Sequence, residues 1–380
     1  MIRSTVAHID LDAVQANFRS IVAFLASRPR SGEAAPPEVI AVVKANAYGH
    51  GAAPVALALE RAGARMLACA DIEEAVVLRR AGVAVDILVF GALSVSDLGG
   101  LAEFRLTPTI STPTAAAAVE AAARRHGVRL RYHLKLDTGM HRLGFRYDNL
   151  ARTVAPLLAS PHLELEAIYT HFATADDPGH PLMERQRQRF EQALRTLREL
   201  GAGAAKRHAA NSAAILRDAR VWYDFVRPGL LLYGVVPPPL AAALPLRPAM
   251  SLRSRLVAIK GLRPGDNVGY GARFTAERPC RIGVIPAGYA DGLDLRLAGR
   301  GSVLVGGRRA PIVGNVSMDM ITVDLTGVPA RPGDEVVLLG AQGDAARIDV
   351  CEMAAAVGTI PWETLCRVGT RIERIYNSAE

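Results

Sequence analysis

The residues best suited to do chemistry in this sequence are its lysines, because there are so few of them. Of the 45 basic residues only four are lysines, namely Lys44, Lys135, Lys206 and Lys260. Arginine stays protonated, so a lysine kept in an arginine-rich sequence indicates a role that needs a neutral amine. Lys44 follows the apolar run 39–43, where partial desolvation lowers the pKa of an amine and favours attack on a carbonyl carbon. The alternative is a lysine that only extends its amine from a strand end into solvent.

Lys44 needs an element that holds it, and the first 235 residues have a regular pattern that supplies one. Short apolar runs alternate with longer segments of helical spacing, and eight such runs occur at 39–43, 66–70, 87–90, 106–110, 130–136, 165–171, 207–210 and 224–227. Strands that alternate with helices predict a parallel sheet, and eight strands close a (β/α)8 barrel of the TIM type. A doubly wound open sheet would favour a glycine-rich phosphate loop after the first strand, and that loop is missing from the sequence.

A change of pattern after the barrel predicts a second domain. Prolines at 237, 238, 239, 245 and 248 form a linker that stops helices and excludes central strands. Short β-like runs with glycine-rich turns follow, interrupted by one helix near 351–357, and they predict a β-rich domain. We therefore predict a barrel over 1–240 and a β-rich domain over 241–380, with the first few residues free to join the second domain.

Composition excludes several classes of protein. The formal charge of +8 comes from arginines interleaved with acidic residues, and no basic block with aromatic residues indicates a nucleic-acid surface. No apolar run approaches the roughly 18–20 residues of a membrane span, and Asp10 and Asp12 stand where a signal peptide would be basic. The four cysteines lack metal-like or disulfide-like spacing. We expect a cytoplasmic protein that binds neither nucleic acid, membrane nor metal.

Residues 42–51 (Val-Val-Lys-Ala-Asn-Ala-Tyr-Gly-His-Gly) resemble the pyridoxal phosphate (PLP) attachment motif of alanine racemases. The similarity continues along nearly the whole chain, from residue 9 to residue 360. The resemblance implies a (β/α)8 barrel with a C-terminal β-rich domain, and Lys44 as the residue that carries PLP. It also implies a homodimer whose active sites combine the barrel of one chain with the β-rich domain of the other.

The resemblance assigns roles to polar residues after the fifth, sixth and eighth predicted strands. Arg142 would hydrogen-bond the catalytic tyrosine and help to hold the substrate. Lys135 would carry a carbamate that fixes that arginine, and an unmodified lysine is the alternative. His171 would lie against the pyridine ring, and Arg227 would face the ring nitrogen. An arginine cannot give up its proton, so the ring nitrogen would stay neutral and the ring would be a weaker electron sink. Ordinary ion pairs are the alternative for both arginines, with Asp224 as the partner of Arg227.

The phosphate of PLP is expected in loops at the barrel mouth. Barrels commonly bind phosphate with the loops after the seventh and eighth strands and an adjoining helix N-terminus. The expected cofactor-binding residues, in addition to those above, are Tyr48, Asn211, Ser212, Gly229, Leu230 and Trp362. Trp362 stands where the family usually has a tyrosine, and an indole N–H donates only one hydrogen bond.

The second domain is expected to supply the second catalytic base. Residues 267–274 resemble the catalytic tyrosine motif, which makes Tyr270 the counterpart of Lys44 on the other face of the substrate. By this assignment Lys44 takes the proton from D-alanine, and Tyr270 of the partner subunit takes it from L-alanine. The substrate-binding residues implied alongside Arg142 are Tyr289, Met318 and Asp319. Asn315 stands where the family commonly has arginine, so a local ion pair is expected to be lost.

The predicted function is therefore a PLP-dependent isomerase that interconverts L-alanine and D-alanine and supplies D-alanine for peptidoglycan. A racemase of broader range, acting on serine or basic amino acids, is the nearest alternative. A non-catalytic PLP-binding barrel protein is a second alternative, although such proteins typically lack a second domain. Amino-acid decarboxylases share the architecture, but the residues around Tyr270 and the presence of Arg227 argue against them.

Overall fold

A computed structural model describes residues 4–28, 35–91, 98–241, 243–343 and 346–377 of the chain. The strands in chain order are β1 (Val6–Asp10), β2 (Glu38–Val42), β3 (Met66–Cys69), β4 (Asp86–Val89), β5 (Thr107–Ile110), β6 (Leu130–Asp137), β7 (Phe145–Arg146), β8 (Leu163–Tyr169), β9 (Lys206–Asn211), β10 (Phe225–Arg227), β11 (Met250–Arg255), β12 (Ala258–Leu262), β13 (Asn267–Val268), β14 (Phe274–Thr275), β15 (Cys280–Ile285), β16 (Ser302–Val305), β17 (Arg308–Val313), β18 (Ile321–Asp324), β19 (Glu335–Gln342), β20 (Ala346–Ile348) and β21 (Glu373–Asn377). The outer limits of the predicted domains, residues 1 and 380, lie outside the described residues.

The α-helices are α1 (Leu11–Ala26), α2 (Ala52–Arg61), α3 (Ile72–Arg80), α4 (Gly99–Glu103), α5 (Pro113–His126), α6 (Leu150–Thr153), α7 (Ala155–Leu158), α8 (Leu182–Leu197), α9 (Ser212–Arg217), α10 (Val350–Val357) and α11 (Pro361–Cys366). A π-helical turn over Arg198–Ala202 follows α8. Helical turns of the 3-10 type cover Ala219–Val221, Leu230–Tyr233, Tyr270–Ala272, Tyr289–Asp291 and Leu295–Leu297. Within the described ranges, no helix has the length and apolar character needed to cross a bilayer.

Eight parallel strands close into a barrel, which confirms the fold predicted from the sequence. The closed order is β2, β3, β4, β5, β6, β8, β9 and β10, and β10 pairs again with β2. Each of the eight apolar runs identified in the sequence is one of these strands. Their buried alternation of aliphatic residues fills the barrel, and the carboxyl ends of all eight strands meet at one rim.

The helices of the barrel begin and end at residues of the expected type. Asp71 caps α3 by accepting a hydrogen bond from the Glu74 N–H at 2.8 Å, and Thr112 caps α5 in the same way. α5 ends at Gly127, whose left-handed backbone satisfies the last carbonyl groups of the helix. The α8 helix buries one face against the barrel, and Phe190 on that face is fully buried.

The second unit is built on a ten-stranded, largely antiparallel sheet. Its order is β12, β15, β18, β17, β16, β19, β11, β1 and β21, with β20 paired to β19. The N-terminal strand β1 joins this sheet, because it pairs antiparallel with β11 and parallel with β21. Tertiary contacts accordingly place the described residues up to Ala13, Tyr48–Gly51 and the residues from Arg247 onward in this unit, and Val14–Ala47 and Ala52–Leu246 in the barrel unit.

The C-terminal unit contains one α-helix that the sequence pattern did not indicate. The helix expected near 351–357 is α10, but α11 follows it after a short loop. Pro361 occupies the first turn of α11, where a missing N–H does no harm. A proline preceded by an extended residue was therefore the available signal for a helix start.

Candidate active site

Lys44 begins a turn of unusual backbone conformation at the end of β2. Ala45, Asn46 and Ala47 all have left-handed helical angles, with φ of 51°, 52° and 53°. Tyr48 follows with φ of 53°. A non-glycine residue in this region costs roughly 1–2 kcal/mol, so the surroundings must hold four in a row. The turn carries the chain sharply away from the strand and leaves Lys44 half-buried at the barrel rim.

Glu74, in the first turn of the helix α3 that follows β3, stabilises this turn. One of its carboxylate oxygens accepts the Ala45 N–H at 2.7 Å, and the other accepts the Ala70 N–H at 2.7 Å. Asn46 adds a second tie, since its side-chain oxygen accepts the Ala52 N–H at 2.7 Å. The carboxylate therefore bridges the loops after β2 and β3, and it fixes the backbone on which Lys44 stands.

Lys135 is a buried lysine on β6 whose neighbours are cations. Its side chain is 6% exposed, and its amine lies 5.8 Å from the centre of the Tyr169 ring. Burial and the positive charges of Arg142, Arg227 and Lys44 lower the pKa of Lys135 to about 8. These effects place four cationic side chains within electrostatic range of one another at the strand ends, which is the type of site that an anionic ligand neutralises.

Arg142 lies in a loop that the end of β6 organises. Asp137 accepts hydrogen bonds from the backbone N–H groups of Gly139, Met140 and His141 at 2.9–3.1 Å. Burial acts to raise the pKa of Asp137, but these N–H donors outweigh it and leave the pKa below its usual value. The loop backbone is thus fixed while the Arg142 side chain itself is exposed.

Arg227 is a buried arginine that uses its guanidinium to join three strand ends. It donates to the carbonyls of Thr170 at 2.8 Å and Ala209 at 2.9 Å, and to the Nδ1 atoms of His208 at 2.7 Å and His171 at 3.2 Å. Burial lowers its pKa to about 10. Asp224 bonds Arg207 instead, so the ion pair considered as an alternative for Arg227 is not formed.

His171 is held as a neutral imidazole at the same rim. Burial, followed by the charges of Arg227, Lys135, Arg142 and Lys44, holds its pKa well below the usual value. Its backbone carbonyl accepts a hydrogen bond from Gln186 Nε2 at 2.9 Å, and the side-chain oxygen of Gln186, Oε1, accepts one from the Ala173 N–H at 2.9 Å. Gln186 is fully buried on α8, and it thereby fixes the loop that carries His171.

The loops after β9 and β10 contact each other directly. Asn211 caps α9 by accepting the Ala214 N–H at 3.0 Å, so its side-chain oxygen serves the helix start. Ser212 Oγ accepts the Gly229 N–H at 2.9 Å. Gly229 precedes the 3-10 turn that begins at Leu230. Ser212, Gly229 and Leu230 therefore lie together as the sequence predicts, although the Gly229 N–H is donated to serine in this structure.

The donor set of the barrel rim is suited to PLP. The group is an anion, and the rim brings the cations Lys44, Lys135, Arg142 and Arg227 within electrostatic range of one another. An amine of lowered pKa is available at Lys135, and a half-buried amine is available at Lys44. Within the described parts of the chain, no group of three or more histidine, cysteine or carboxylate side chains is arranged to hold a metal ion.

Tyr270 lies in the other unit, on a short turn between two glycines in left-handed conformation. Gly269 has φ of 69° and Gly271 has φ of 70°, and only glycine adopts such angles without strain. The Tyr270 side chain is 77% exposed. Asn315 donates a hydrogen bond from Nδ2 to the Tyr270 carbonyl at 2.8 Å, so the residue in the usual arginine position anchors this turn.

The substrate-binding residues proposed in this unit line one open groove. The groove has a volume of 890 Å³, and its lining includes Tyr270, Tyr289, Asn315, Met318 and Asp319. Two backbone hydrogen bonds join the loops that carry Tyr289 and Met318. The Tyr289 N–H donates to the Ser317 carbonyl, and the Ala290 N–H donates to the Met318 carbonyl. Asp319 pairs with Arg371 at 2.7 Å, so its carboxylate is partly neutralised within the chain.

Tyr48 and Trp362 also lie in the C-terminal unit. Tyr48 is buried, and burial followed by the nearby Cys366 thiol raises its pKa. The next residue, Gly49, packs so closely on the Leu365 carbonyl of α11 that a side chain would collide with it. Trp362 is half-buried on the same helix. The structure thus places the chain around Tyr48 against the helix that carries Trp362.

The predicted residues form two groups, each within one unit. Lys44, Lys135, Arg142, His171 and Arg227 gather at the barrel rim, with Asn211, Ser212, Gly229 and Leu230 on the adjacent loops. Sequence reasoning did not identify Glu74 or Gln186, and for Asn315 it predicted only the loss of a local ion pair. Gln186 had a usable signal, because it is a polar residue at the helical spacing of buried Met183 and Phe190.

A closed barrel with polar and cationic side chains at the carboxyl ends of its strands is typical of barrel enzymes. Comparison with known families makes this specific. The N-terminal domain model of alanine racemase matches residues 9–237, and the C-terminal domain model matches residues 249–376. The chain belongs to the alanine racemase family.

Individual relatives agree with this assignment over the full chain. The alanine racemase of Symbiobacterium thermophilum is 41% identical over 98% of this chain and 97% of its own length. The solved alanine racemase of D-cycloserine-producing Streptomyces lavendulae is 37% identical, covers 100% of this chain and 98% of its own, and superposes with a TM-score of 0.93. That of Bacillus anthracis, solved with bound L-Ala-P, is 35% identical over 100% of this chain and 96% of its own, with a TM-score of 0.89.

The activity is therefore that of an isomerase that interconverts L- and D-alanine, as the sequence predicts. A racemase of broader range and a non-catalytic PLP-binding protein are not favoured, because the similar proteins of known name are alanine racemases along nearly their whole length.

Proposed function

We propose that this chain binds PLP through Lys44 and racemises alanine with two bases, Lys44 of one subunit and Tyr270 of a second. The observation that carries the proposal is the set of four cations at the barrel rim, which lower the pKa of Lys135 and His171 together with burial. When bound, PLP withdraws electrons from the substrate and makes the α-proton of alanine acidic. The protein must then hold the anion, orient it and move one proton on each face.

The residues of the barrel rim would bind and orient the cofactor. Ser212 Oγ and the backbone at Gly229 and Leu230 lie together where barrels bind phosphate. Neutral His171 can pack on the ring without adding charge, and Arg227 can donate to the ring nitrogen but cannot accept its proton. Asn211, Tyr48 and Trp362 complete the proposed set. Asn211 acts mainly by starting α9.

Proton transfer would use groups on opposite faces of the substrate. Lys44 Nζ would remove the α-proton of D-alanine or return one to form it, and Tyr270 Oη would do the same for L-alanine. A phenol is a weak base near neutral pH, so its anion needs a nearby cation. Exposed Arg142 is the proposed partner, and Met318 and Tyr289 would close the space around a methyl side chain.

Carbamylation of Lys135 is part of the proposal. In this step the neutral amine attacks carbon dioxide, a C–N bond forms, and one proton leaves to solvent. The pKa of about 8 leaves a substantial neutral fraction of the amine near that pH. The carbamate would place a negative charge among Arg142, Arg227 and Lys44. Carbon-13 NMR of protein in labelled bicarbonate should show a carbamate signal that Lys135→Met removes.

A homodimer with shared sites is proposed from the exposure of the second base. Tyr270 is mostly exposed, and the groove around it also presents the exposed apolar side chains of Tyr289, Leu295, Met318 and Met320. Such a patch favours a protein partner, and a second copy of this chain would place Tyr270 beside another barrel rim. Mixing Lys44→Arg subunits with Tyr270→Phe subunits should restore activity, because some hybrid dimers contain one intact site. If mixing restores nothing, the sites are not shared.

The proposed cellular role is supply of D-alanine for peptidoglycan in the cytoplasm. None of the four cysteines, all of which lie in the described ranges, forms a disulfide bond, and a reducing compartment fits this. The decisive test of the chemistry is incubation of the PLP-loaded protein with L-alanine in D2O. Optical rotation should fall to zero while deuterium enters the α-position. Loss of rotation without α-deuterium, or bound PLP without either change, would refute the proposal.

A further inference from the structure

A chain of buried polar groups runs through the barrel from Arg227 at the rim to the opposite end. Arg227 Nη1 lies 2.7 Å from His208 Nδ1, and His208 Nε2 lies 3.0 Å from His133 Nδ1. His133 Nε2 lies 3.5 Å from Glu166 Oε2. Both histidines are fully buried. Three consecutive contacts therefore connect the proposed cofactor arginine with a carboxylate on β8.

Arg227, the first member of this series of contacts, determines which ring nitrogen of each histidine carries the proton. Arginine has only donors, so His208 Nδ1 must accept and carries no proton. A neutral His208 then has its proton on Nε2, which makes it the donor to His133 Nδ1. By the same argument His133 carries its proton on Nε2, facing Glu166. Carboxylate is an acceptor only, so the chain ends on a group that fits this direction.

The surroundings fix the rings and keep them neutral. His208 stacks on Tyr169 with ring centres 4.5 Å apart and planes 7° apart, and Phe225 packs on its edge. Burial lowers the pKa of both histidines, and the charge of Arg227 acts in the same direction on each. A ring held this way cannot rotate by about 180°, which would exchange the positions of its two nitrogens, without disrupting the packing of the core.

Glu166 is where the chain reaches the far end of the barrel. Its Oε1 accepts a hydrogen bond from Arg131 Nη1 at 3.3 Å, and the nearby charge of Lys206 also favours its ionised form. It lines an open groove of 550 Å³ with Arg131, Glu164 and Lys206. Glu166 Oε2 and His133 Nε2 are both buried, and in the described part of the chain neither has a hydrogen-bond partner, so they face each other across a contact of 3.5 Å.

We propose that His133 and Glu166 are positioning residues, which act through His208 to orient the Arg227 guanidinium at the rim. With a carboxylate at 166, both ends of this series select the same tautomers, because arginine only donates and carboxylate only accepts. Without the carboxylate, only Arg227 opposes the reverse tautomer of His133, in which His208 carries its proton on Nδ1 and two donors face each other at Arg227. This inference rests on the proposed role of Arg227 toward the cofactor, but the tautomers themselves do not depend on that role.

The first test is nitrogen-15 NMR of the histidine rings in protein without added cofactor. We expect His133 and His208 to be neutral, with the proton on Nε2, from pH 6 to pH 9. In Glu166→Gln the His208 ring should lose this single form. Glu164→Gln is the matched control, because Glu164 is on the same strand and pairs with exposed Arg129 at 3.6 Å. A charged ring, or a proton on Nδ1 of His208 in the unaltered protein, would overturn the proposal.

The second test uses the loaded enzyme. Glu166→Gln should lower kcat for racemisation about tenfold with KM for alanine nearly unchanged, because one buried hydrogen bond to a charged group is disturbed. Glu164→Gln should leave both constants unchanged. His133→Asn should rescue Glu166→Gln, since the asparagine oxygen can accept from His208 whatever stands at 166. Equal kcat in Glu166→Gln and the unaltered enzyme, or absence of rescue, refutes the relay.

A folding defect would not leave the question open. If Glu166→Gln does not fold, His133→Leu removes the acceptor one step nearer to Arg227 and should disturb the His208 tautomer in the same way. The NMR result also separates this proposal from the proposed function. Protein with the expected tautomers but no α-exchange of alanine would retain the relay and refute the assigned chemistry, whereas full activity with the wrong tautomers would do the reverse.

Discussion

The two groups of site residues are held in place by different physical means. At the barrel rim, Lys135 and Arg227 are buried, Lys135 has other cations nearby, and Arg227 is fixed by hydrogen bonds to the carbonyls of Thr170 and Ala209. On the C-terminal unit, Tyr270 and Met318 are exposed, and the bonds that fix them are made by their backbones. The first group is positioned together with its electrostatic environment. The second is positioned in space only and needs another surface to complete its environment.

This difference indicates where each half of the chemistry is tuned. Shifted pKa values appear in the barrel because burial and neighbouring charge act on the same side chains. The Tyr270 side chain is exposed in its own unit, so the groups that would surround it must come from another surface. The reactivity of Tyr270 is therefore expected to depend on assembly with a second subunit.

Removal of the strand-end amine should have the largest effect. Lys44→Arg cannot lose its proton or attach PLP, so racemisation should fall by at least about 10⁴-fold. The visible absorbance band of the protein-attached cofactor should disappear. Lys206→Arg is the control, because Lys206 is an exposed lysine that lies 3.4 Å from Glu38. Persistence of the band in Lys44→Arg would mean that another amine holds the cofactor.

Removal of the exposed phenol should affect turnover without affecting cofactor binding. Tyr270→Phe should lower kcat by about 10²–10³-fold, which is the usual contribution of a general base. Proton abstraction from L-alanine should suffer more than abstraction from D-alanine, as measured by α-tritium release from each. Tyr147→Phe, a half-buried tyrosine packed on Arg189, is the control. Equal loss for both enantiomers would contradict the two-base assignment.

The buried lysine makes stability depend on pH. The native pKa of Lys135 is about 8, below its unfolded value, so the unfolded state binds more protons between pH 8 and about 10.5. Stability should therefore rise with pH across this window, by up to about 3 kcal/mol relative to Lys135→Met. Urea unfolding of both proteins in CO2-free buffer measures this. Identical pH profiles would show that Lys135 is not perturbed.

Loss of the bond behind Tyr270 should have the smallest effect. Asn315→Ala removes the hydrogen bond to the Tyr270 carbonyl, worth about 1 kcal/mol, and kcat should fall by about fivefold. Asn315→Asp keeps the size but cannot donate, so it should behave like the alanine variant. Asn267→Ala, in the neighbouring strand, should leave kcat unchanged. An aspartate variant with full activity would show that the donor does not position Tyr270.

The barrel could be predicted from the sequence because its determinants are local. Each strand is a short apolar run, and some helix starts carry a capping residue that is visible in the sequence, such as Asp71 and Thr112. Lys44 and Arg227 could be identified as site candidates because they end such runs. Their environment could not, because it depends on which strand ends are neighbours in the closed barrel.

The residues that sequence reasoning missed make bonds between distant parts of the chain. Glu74 acts on a turn 29 residues earlier, and Asn315 acts on a turn 45 residues earlier. An alanine-rich segment such as 45–47 also gives no sign of a left-handed turn, since alanine ordinarily avoids that conformation. The conformation there is imposed by Glu74 and by the rim.

The pairing of β1 has a consequence for the order in which the protein can fold during synthesis. β1 lies between β11 and β21, so it has no strand partner until residues far along the chain have been made. The eight barrel strands all precede these partners and can close earlier. Because loops of this length close slowly and domains usually fold as units, the barrel is expected to emerge first. Residues 6–10 would then remain without strand partners until β11 and β21 have been synthesised.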